Sequence, residues 1–137
     1  GHFIVGQDTD GLSKAPTTGL GALIKLDKHD FVGKPELAWS MEADLPVLVS
    51  VQMTDPTVVP PEASQIVRPG TNEILGRITS SRYSPTLEKS IGMAQVPPDQ
   101  ASPGTRLTVV LTSGERTTAT VIEHHAHFDP EGARLRV

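Results

Sequence analysis

Three groups of residues in this 137-residue chain have the types that chemistry requires. The densest is Glu123-His124-His125-Ala126-His127-Phe128-Asp129, whose imidazoles and carboxylates are the ligand types of zinc or nickel. On one extended strand, however, His125 and His127 share a face and His124 points away, so the spacing supplies no third ligand. A polar tail lying over the end of the fold accounts for this segment better, and no metal is expected. The second group is Arg82-Tyr83. A guanidinium beside a phenol could hold an anionic carboxylate. The favoured alternative is that the tyrosine ring covers an edge and leaves its hydroxyl in water. The third group, Asp8-Thr9-Asp10-Gly11, starts like a calcium loop but lacks the third ligand position and the closing glutamate. Gly19-Leu20-Gly21 lacks the last glycine of a dinucleotide cradle, because position 24 is Ile. There is no G-x-S-x-G, Cys/His pair or phosphate loop, and no spacing sets two carboxylates for acid and base work. No catalytic residue is therefore assigned.

The elements that must position these groups are mostly strands. In residues 73–80, Ile74 and Ile78 fall on one face and Leu75, Arg77 and Thr79 on the other, the period of a half-buried strand. Gly76 interrupts the inward row, which marks a bulge, a bend or the close approach of another backbone. Residues 81–87 read as a loop, since Pro85 fixes its own φ and drives Ser84 out of the helical region. Ile91, Met93 and Gln95 then alternate with Gly92 and Ala94 until Pro97-Pro98.

Upstream, Val47, Val49, Val51 and Met53 alternate against Leu48, Ser50 and Gln52, and a loop containing Pro56, Pro60 and Pro61 follows. Residues 64–68 and 73–80 flank the turn Pro69-Gly70-Thr71-Asn72 and form a hairpin. Leu107, Val109 and Leu111 lead through Ser113-Gly114 into residues 115–122, a second hairpin. The expected fold is therefore mainly β, with six antiparallel strands in a small Greek-key-like barrel over residues 45–137. In residues 1–44, the apolar run 20–26 reads as a strand, and Gly33-Lys34-Pro35-Glu36 opens a short helix. Leu37 and Met41, one turn apart, are expected to face the core, with Trp39 elsewhere.

Composition narrows the classes. Twelve glycines and twelve prolines favour short strands and turns, and an aromatic content of 4% leaves the core to aliphatic side chains. The net charge of −4 and the absence of a basic run argue against a nucleic-acid partner. No apolar stretch nears the roughly 20 residues of a membrane span, and no signal-peptide pattern opens the chain. The absence of cysteine removes disulfides and thiolate metal sites and suits a reducing, cytoplasmic compartment.

The run G-R-I-T-S-S-R-Y-S-P-T-L-E-K-S-I-G-M-A-Q-V-P, residues 76–97, resembles the C-terminal barrel of the folate-dependent aminomethyltransferase family, which includes the glycine cleavage T-protein. Gly19-Leu20-Gly21 through Lys25-Leu26 to Asp30-Phe31-Val32-Gly33-Lys34 and Leu37 is similar to a second segment of that family. The opening Gly1-His2-Phe3-Ile4-Val5-Gly6-Gln7-Asp8 is similar to its G-x-x-x-x-G-x-D. The opening G-H-F-I-V-G-Q-D-T-D-G and the ending F-D-P-E-G-A-R-L-R-V are most similar to the branch containing the alpha subunit of heterotetrameric sarcosine oxidase. The resemblance implies tetrahydrofolate as cofactor and 5,10-methylenetetrahydrofolate as product in a longer parent. It implies pterin-binding residues upstream of Gly1, residues 1–44 as the tail end of a folate-binding domain, and a fragment that is inactive alone. Its implied partners are the parent's preceding domains and possible other subunits. Within this chain Arg82, Tyr83 and His127 are the candidates for folate contact. The family's tail can bring a tyrosine to the pocket; this tail has none.

Overall fold

The computed structural model describes residues 3–123. Six strands, β1 (Val47–Met53), β2 (Gln65–Val67), β3 (Ile74–Ser84), β4 (Lys89–Val96), β5 (Arg106–Val110) and β6 (Arg116–Ile122), close into an antiparallel barrel. The order around it is β1-β4-β3-β2-β5-β6. Strands β2, β3 and β4 follow one another as hairpins while β1 returns beside β4, which is the Greek-key pairing. This order requires a long connection between β1 and β2. The proline-rich loop supplies it, with Pro60 fully buried.

Alternation builds the core as the sequence predicts in β1 and β5; in β3 Ile78 is buried, but Ile74, read on the same inward face, is exposed and Leu75 packs against the core instead, because the β2–β3 register shifts at that end. Val49, Val51, Met53, Ile66, Val67, Ile78, Ala94, Val96, Leu107, Val109, Ala119 and Val121 are buried, nearly all of them in one aliphatic cluster. In β4 it is Ala94 and Val96 that are buried, while Ile91, Met93 and Gln95 are half-buried. Gly76 proves to be a site of close approach. A Cβ there would stand 2.0 Å from the Gln95 carbonyl oxygen, so β3 crosses β4 where no side chain fits.

The N-terminal segment departs from expectation in two places. The run 20–26 is not a strand; it contains a 3-10 turn at Gly21–Leu23, following another at Ala15–Thr18. A strand needs a neighbouring edge to satisfy its backbone groups, and none of the described strands lies open to it, because the barrel is closed. Residues 3–5 contribute one bridge, Val5 to Thr9, inside a tight turn. Helix α1 (Lys34–Glu42) forms with Pro35 in its first turn as expected. Yet Met41 is 50% exposed and Leu37 only half-buried, and the buried position is Ser40. The helix therefore lays no apolar stripe on the barrel core.

No helix among the described residues is long and apolar enough to cross a membrane.

Candidate functional site

The residues that could meet a ligand gather at the far end of β3. Residues 81–84 are not a loop: β3 runs on through them, pairing Ser81 with Gly92, Arg82 with Ile91, Tyr83 with Ser90 and Ser84 with Lys89. Pro85 excludes Ser84 from the helical region, and the extended backbone this leaves serves the strand as well as it would serve a loop. A bulge between Ile78 and Ser80 places Thr79 as the extra residue. It shifts the alternation so that Ser81 and Tyr83 continue the row of Gly92 and Ser90, while Ser80 and Arg82 take the opposite face. Arg82 and Tyr83 thus point to different sides of the strand and do not converge on one ligand.

Arg82 is an accessible cation. Its side chain is 78% exposed, Nη1 donates to the Ser81 carbonyl at 2.8 Å, and Nη2 lies 3.9 Å from a Glu62 oxygen. An ion pair that long and exposed holds the guanidinium weakly, on the order of a few tenths of a kcal/mol. Most of the Arg82 fork is left for an incoming carboxylate. Tyr83 is about half exposed.

Beside Arg82 lies a buried polar cluster. Asp8 is fully buried and 71 residues from Thr79 in sequence, yet Thr79 Oγ1 and Ser80 Oγ both donate to its Oδ1. Its Oδ2 accepts the Ile4 N–H at 2.9 Å. Ser81 Oγ donates to the Pro60 carbonyl, and Gln7 Nε2 donates to Glu62 at 2.6 Å. Asp10 turns the other way and caps its own turn, accepting from the Leu12 and Ser13 N–H groups and the Ser13 hydroxyl. The Leu12 N–H and then the Ser13 hydroxyl hold the Asp10 carboxyl below its usual range. Asp8 and Asp10 are each occupied by protein donors. Among the described residues, no group of three His, Cys, Asp or Glu side chains is placed to hold a metal. The histidine tail, with the folate candidate His127, lies outside the described residues.

A groove of about 740 Å³ opens elsewhere, in the N-terminal segment. Leu20, Leu23, Ile24, Phe31 and Leu37 line it, with Lys25, Lys28 and His29 at its sides. Neither Arg82 nor Tyr83 reaches it. Sequence reasoning weighed Asp8 only as a metal ligand and missed its role as an acceptor for β3. The signal available was the lone aspartate of the G-x-x-x-x-G-x-D opening, a charged residue in an otherwise apolar and glycine-rich stretch.

A closed six-stranded Greek-key barrel preceded by a short helical segment is the class that this geometry defines. The sequence profile of the glycine cleavage T-protein C-terminal barrel domain matches residues 47–127, and the chain belongs to that family. Among curated relatives, an aminomethyltransferase of Thermotoga petrophila is 33% identical over 122 residues, 89% of this chain and 32% of that protein. An aminomethyltransferase of Saccharopolyspora erythraea is 40% identical over 105 residues, 76% of this chain and 27% of that protein. A crystal structure of the glycine cleavage system aminomethyltransferase T from Bartonella henselae superimposes with a TM-score of 0.80 over 89% of this chain and 34% of its own, at 16% identity. At that identity the likeness speaks for the fold. The chain spans about a third of the length of the relatives it matches.

Proposed function

We propose that this chain is the C-terminal barrel of a tetrahydrofolate-dependent one-carbon transfer enzyme that forms 5,10-methylenetetrahydrofolate. The family match over residues 47–127 carries the reading, supported by relatives named aminomethyltransferase. When bound in the parent, tetrahydrofolate supplies the nucleophilic nitrogen that takes up the one-carbon unit. The present residues fit one part of such a ligand: Arg82, exposed, with Nη1 on the Ser81 carbonyl and only a weak ionic partner in Glu62, suits the anionic glutamate end. Tyr83 faces the other side of β3 and does not share that contact.

No described side chain is placed as an acid or base for the transfer. The barrel's part is to fix positions and exclude water, effects that can contribute about 7–11 kcal/mol to a transfer between two bound reactants. The solid aliphatic interior of the barrel also favours a second reading, a structural or interaction barrel with no folate contact of its own.

The finer reading places the parent with the alpha subunit of sarcosine oxidase, on the pattern of its opening and ending residues. In this reading the preceding domains of the parent cover the groove of residues 20–37, other subunits complete the assembly, and the protein works in the cytoplasm. The full-length protein tests the reaction directly. Supplied with tetrahydrofolate, sarcosine labelled in its methyl carbon and dioxygen as the two-electron oxidant, it passes the oxidised, labelled carbon to 5,10-methylenetetrahydrofolate. Transfer only from an aminomethyl donor would return the parent to the aminomethyltransferases. Recovery of the label solely as free formaldehyde would overturn the folate reading.

A further inference from the structure

The attachment of residues 3–23 to the barrel has an unusual chemistry. The buried residues of the segment from Phe3 to Leu45 are Asp8, Thr17, Thr18 and Ser40, all polar, and no apolar side chain of this segment joins the barrel core. Among the described residues, eight of the eleven exposed large hydrophobic side chains, Ile4, Val5, Leu12, Leu20, Leu23, Val32, Trp39 and Met41, lie in it. The Thr17 and Thr18 hydroxyls donate to carbonyls of their own turn, at Lys14 and Ala15, and so make no tie to the barrel. The Gln7 amide reaches Glu62, but that contact is exposed. The Ala15–Thr18 turn packs against β1, and the carboxylate of Asp8 makes a buried polar tie to the barrel.

Asp8 joins the two parts at both ends. One oxygen takes hydroxyl donors from Thr79 and Ser80 at the β3 bulge; the other takes the N–H of Ile4 and closes the turn of residues 4–9. The bulge is what turns Thr79 out of the regular alternation, so the barrel has a local irregularity where the carboxylate lands. A fully buried carboxylate is tolerable only while its donors are in place, because charge without partners is costly to bury. Losing the donors on either side therefore expels Asp8, and its turn leaves with it.

We propose that Asp8 is a clasp: its bonds to Thr79 and Ser80 hold the N-terminal segment on a barrel that stays folded without them, and so set how that segment sits against the end of β3. Asp8 acts here as a positioning residue, through Thr79 and Ser80, which closely precede Arg82.

The experiment is native-state amide hydrogen exchange on the 137-residue chain, comparing the backbone amide of residue 8, which donates to the Ile4 carbonyl, with Val51, Ile66 and Val109 in the core. In Asp8→Ala and in Thr79→Val, the amide at position 8 is expected to exchange at least about 10-fold faster, for the loss of all three hydrogen bonds to the carboxylate in the first and of one in the second. The core amides keep their wild-type protection. Thr79→Ser, which retains the hydroxyl, restores slow exchange, and a role in packing alone would not show this rescue. Unchanged exchange in both losing variants overturns the proposal. So does a uniform loss of protection across strap and core, or failure of the Asp8→Ala barrel to fold, since either makes Asp8 a support of the whole fold. If Thr79→Ser behaves as Thr79→Val does, the hydroxyl is not the tie and the proposal falls.

Discussion

Replacing Gly76 by alanine should unfasten β3 from β4. The added Cβ would stand 2.0 Å from the Gln95 carbonyl oxygen, 3.1 Å from its carbonyl carbon and 3.3 Å from the Val96 Cα. All three are backbone atoms, so no side chain can swing aside. An ordinary carbon–oxygen approach is about 3.3 Å or more, which asks the strands to separate by roughly 1.3 Å. Backbone hydrogen bonds near 2.9 Å would then stretch past their useful range around the Arg77–Gln95 pair. About two such bonds at roughly 1 kcal/mol each, with about 1–3 kcal/mol for overpacking, give a loss of about 4 kcal/mol. For a domain of this size that corresponds to a fall in Tm on the order of 15 °C. Urea unfolding followed by far-ultraviolet circular dichroism measures it. Gly11→Ala, with nothing within 4 Å and no positive φ, is the matched control and should be nearly neutral. A Gly76→Ala loss below about 1 kcal/mol would refute the reasoning, because it would mean that the strands yield at little cost.

Other outcomes follow from the same structure. Ile66→Ala, at a fully buried core position, should cost about 3–4 kcal/mol in the same urea assay. Glu73 accepts both N–H groups of Arg68, and that hydrogen bonding, followed by the Arg68 charge, lowers its carboxyl from 4.5. The depressed value means that the pair's contribution is present above pH 4.5 and is lost as pH falls through the lower folded value. Wild type and Glu73→Gln, compared by thermal melts, should therefore differ slightly at pH 6 and converge as the pH falls below the lowered folded value. The exposed apolar side chains of the N-terminal segment, Leu23, Trp39 and Met41 among them, should make the 137-residue chain self-associate, seen as concentration-dependent sedimentation that Leu23→Glu reduces.

The barrel was legible because the apolar alternation of residues 47–53 and 107–111 fixes which face turns inward, and because Pro69-Gly70 and Ser113-Gly114 mark the hairpin turns. Gly76 was legible only as a bulge, a bend or a close approach, and the Gln95 carbonyl beside it decides for the last. The continuation of β3 through Tyr83 was not. Serines beside Pro85 carry the composition of a loop, and it is the partner strand from Lys89 that decides the matter. The bulge at Thr79 was hidden too, since it depends on register against Met93. In residues 20–26 the apolar pattern was real, but it lines a groove. Local pattern shows that a run seeks burial and leaves open what will cover it. Asp8 was the hardest to read, because its meaning lies in hydroxyls 71 and 72 residues away.

The central claim, a folate-dependent enzyme whose pocket includes the far end of β3, is tested most directly in the full-length protein by the dependence of 5,10-methylenetetrahydrofolate formation on tetrahydrofolate. With Arg82→Ala the expected KM for tetrahydrofolate rises about tenfold at unchanged kcat, the loss of one charged contact made equally before and during reaction. Arg106→Ala, at the exposed start of β5, should leave both constants alone. An unchanged KM in Arg82→Ala would remove β3 from the pocket, and amine turnover that proceeds without forming the folate product would contradict the account itself.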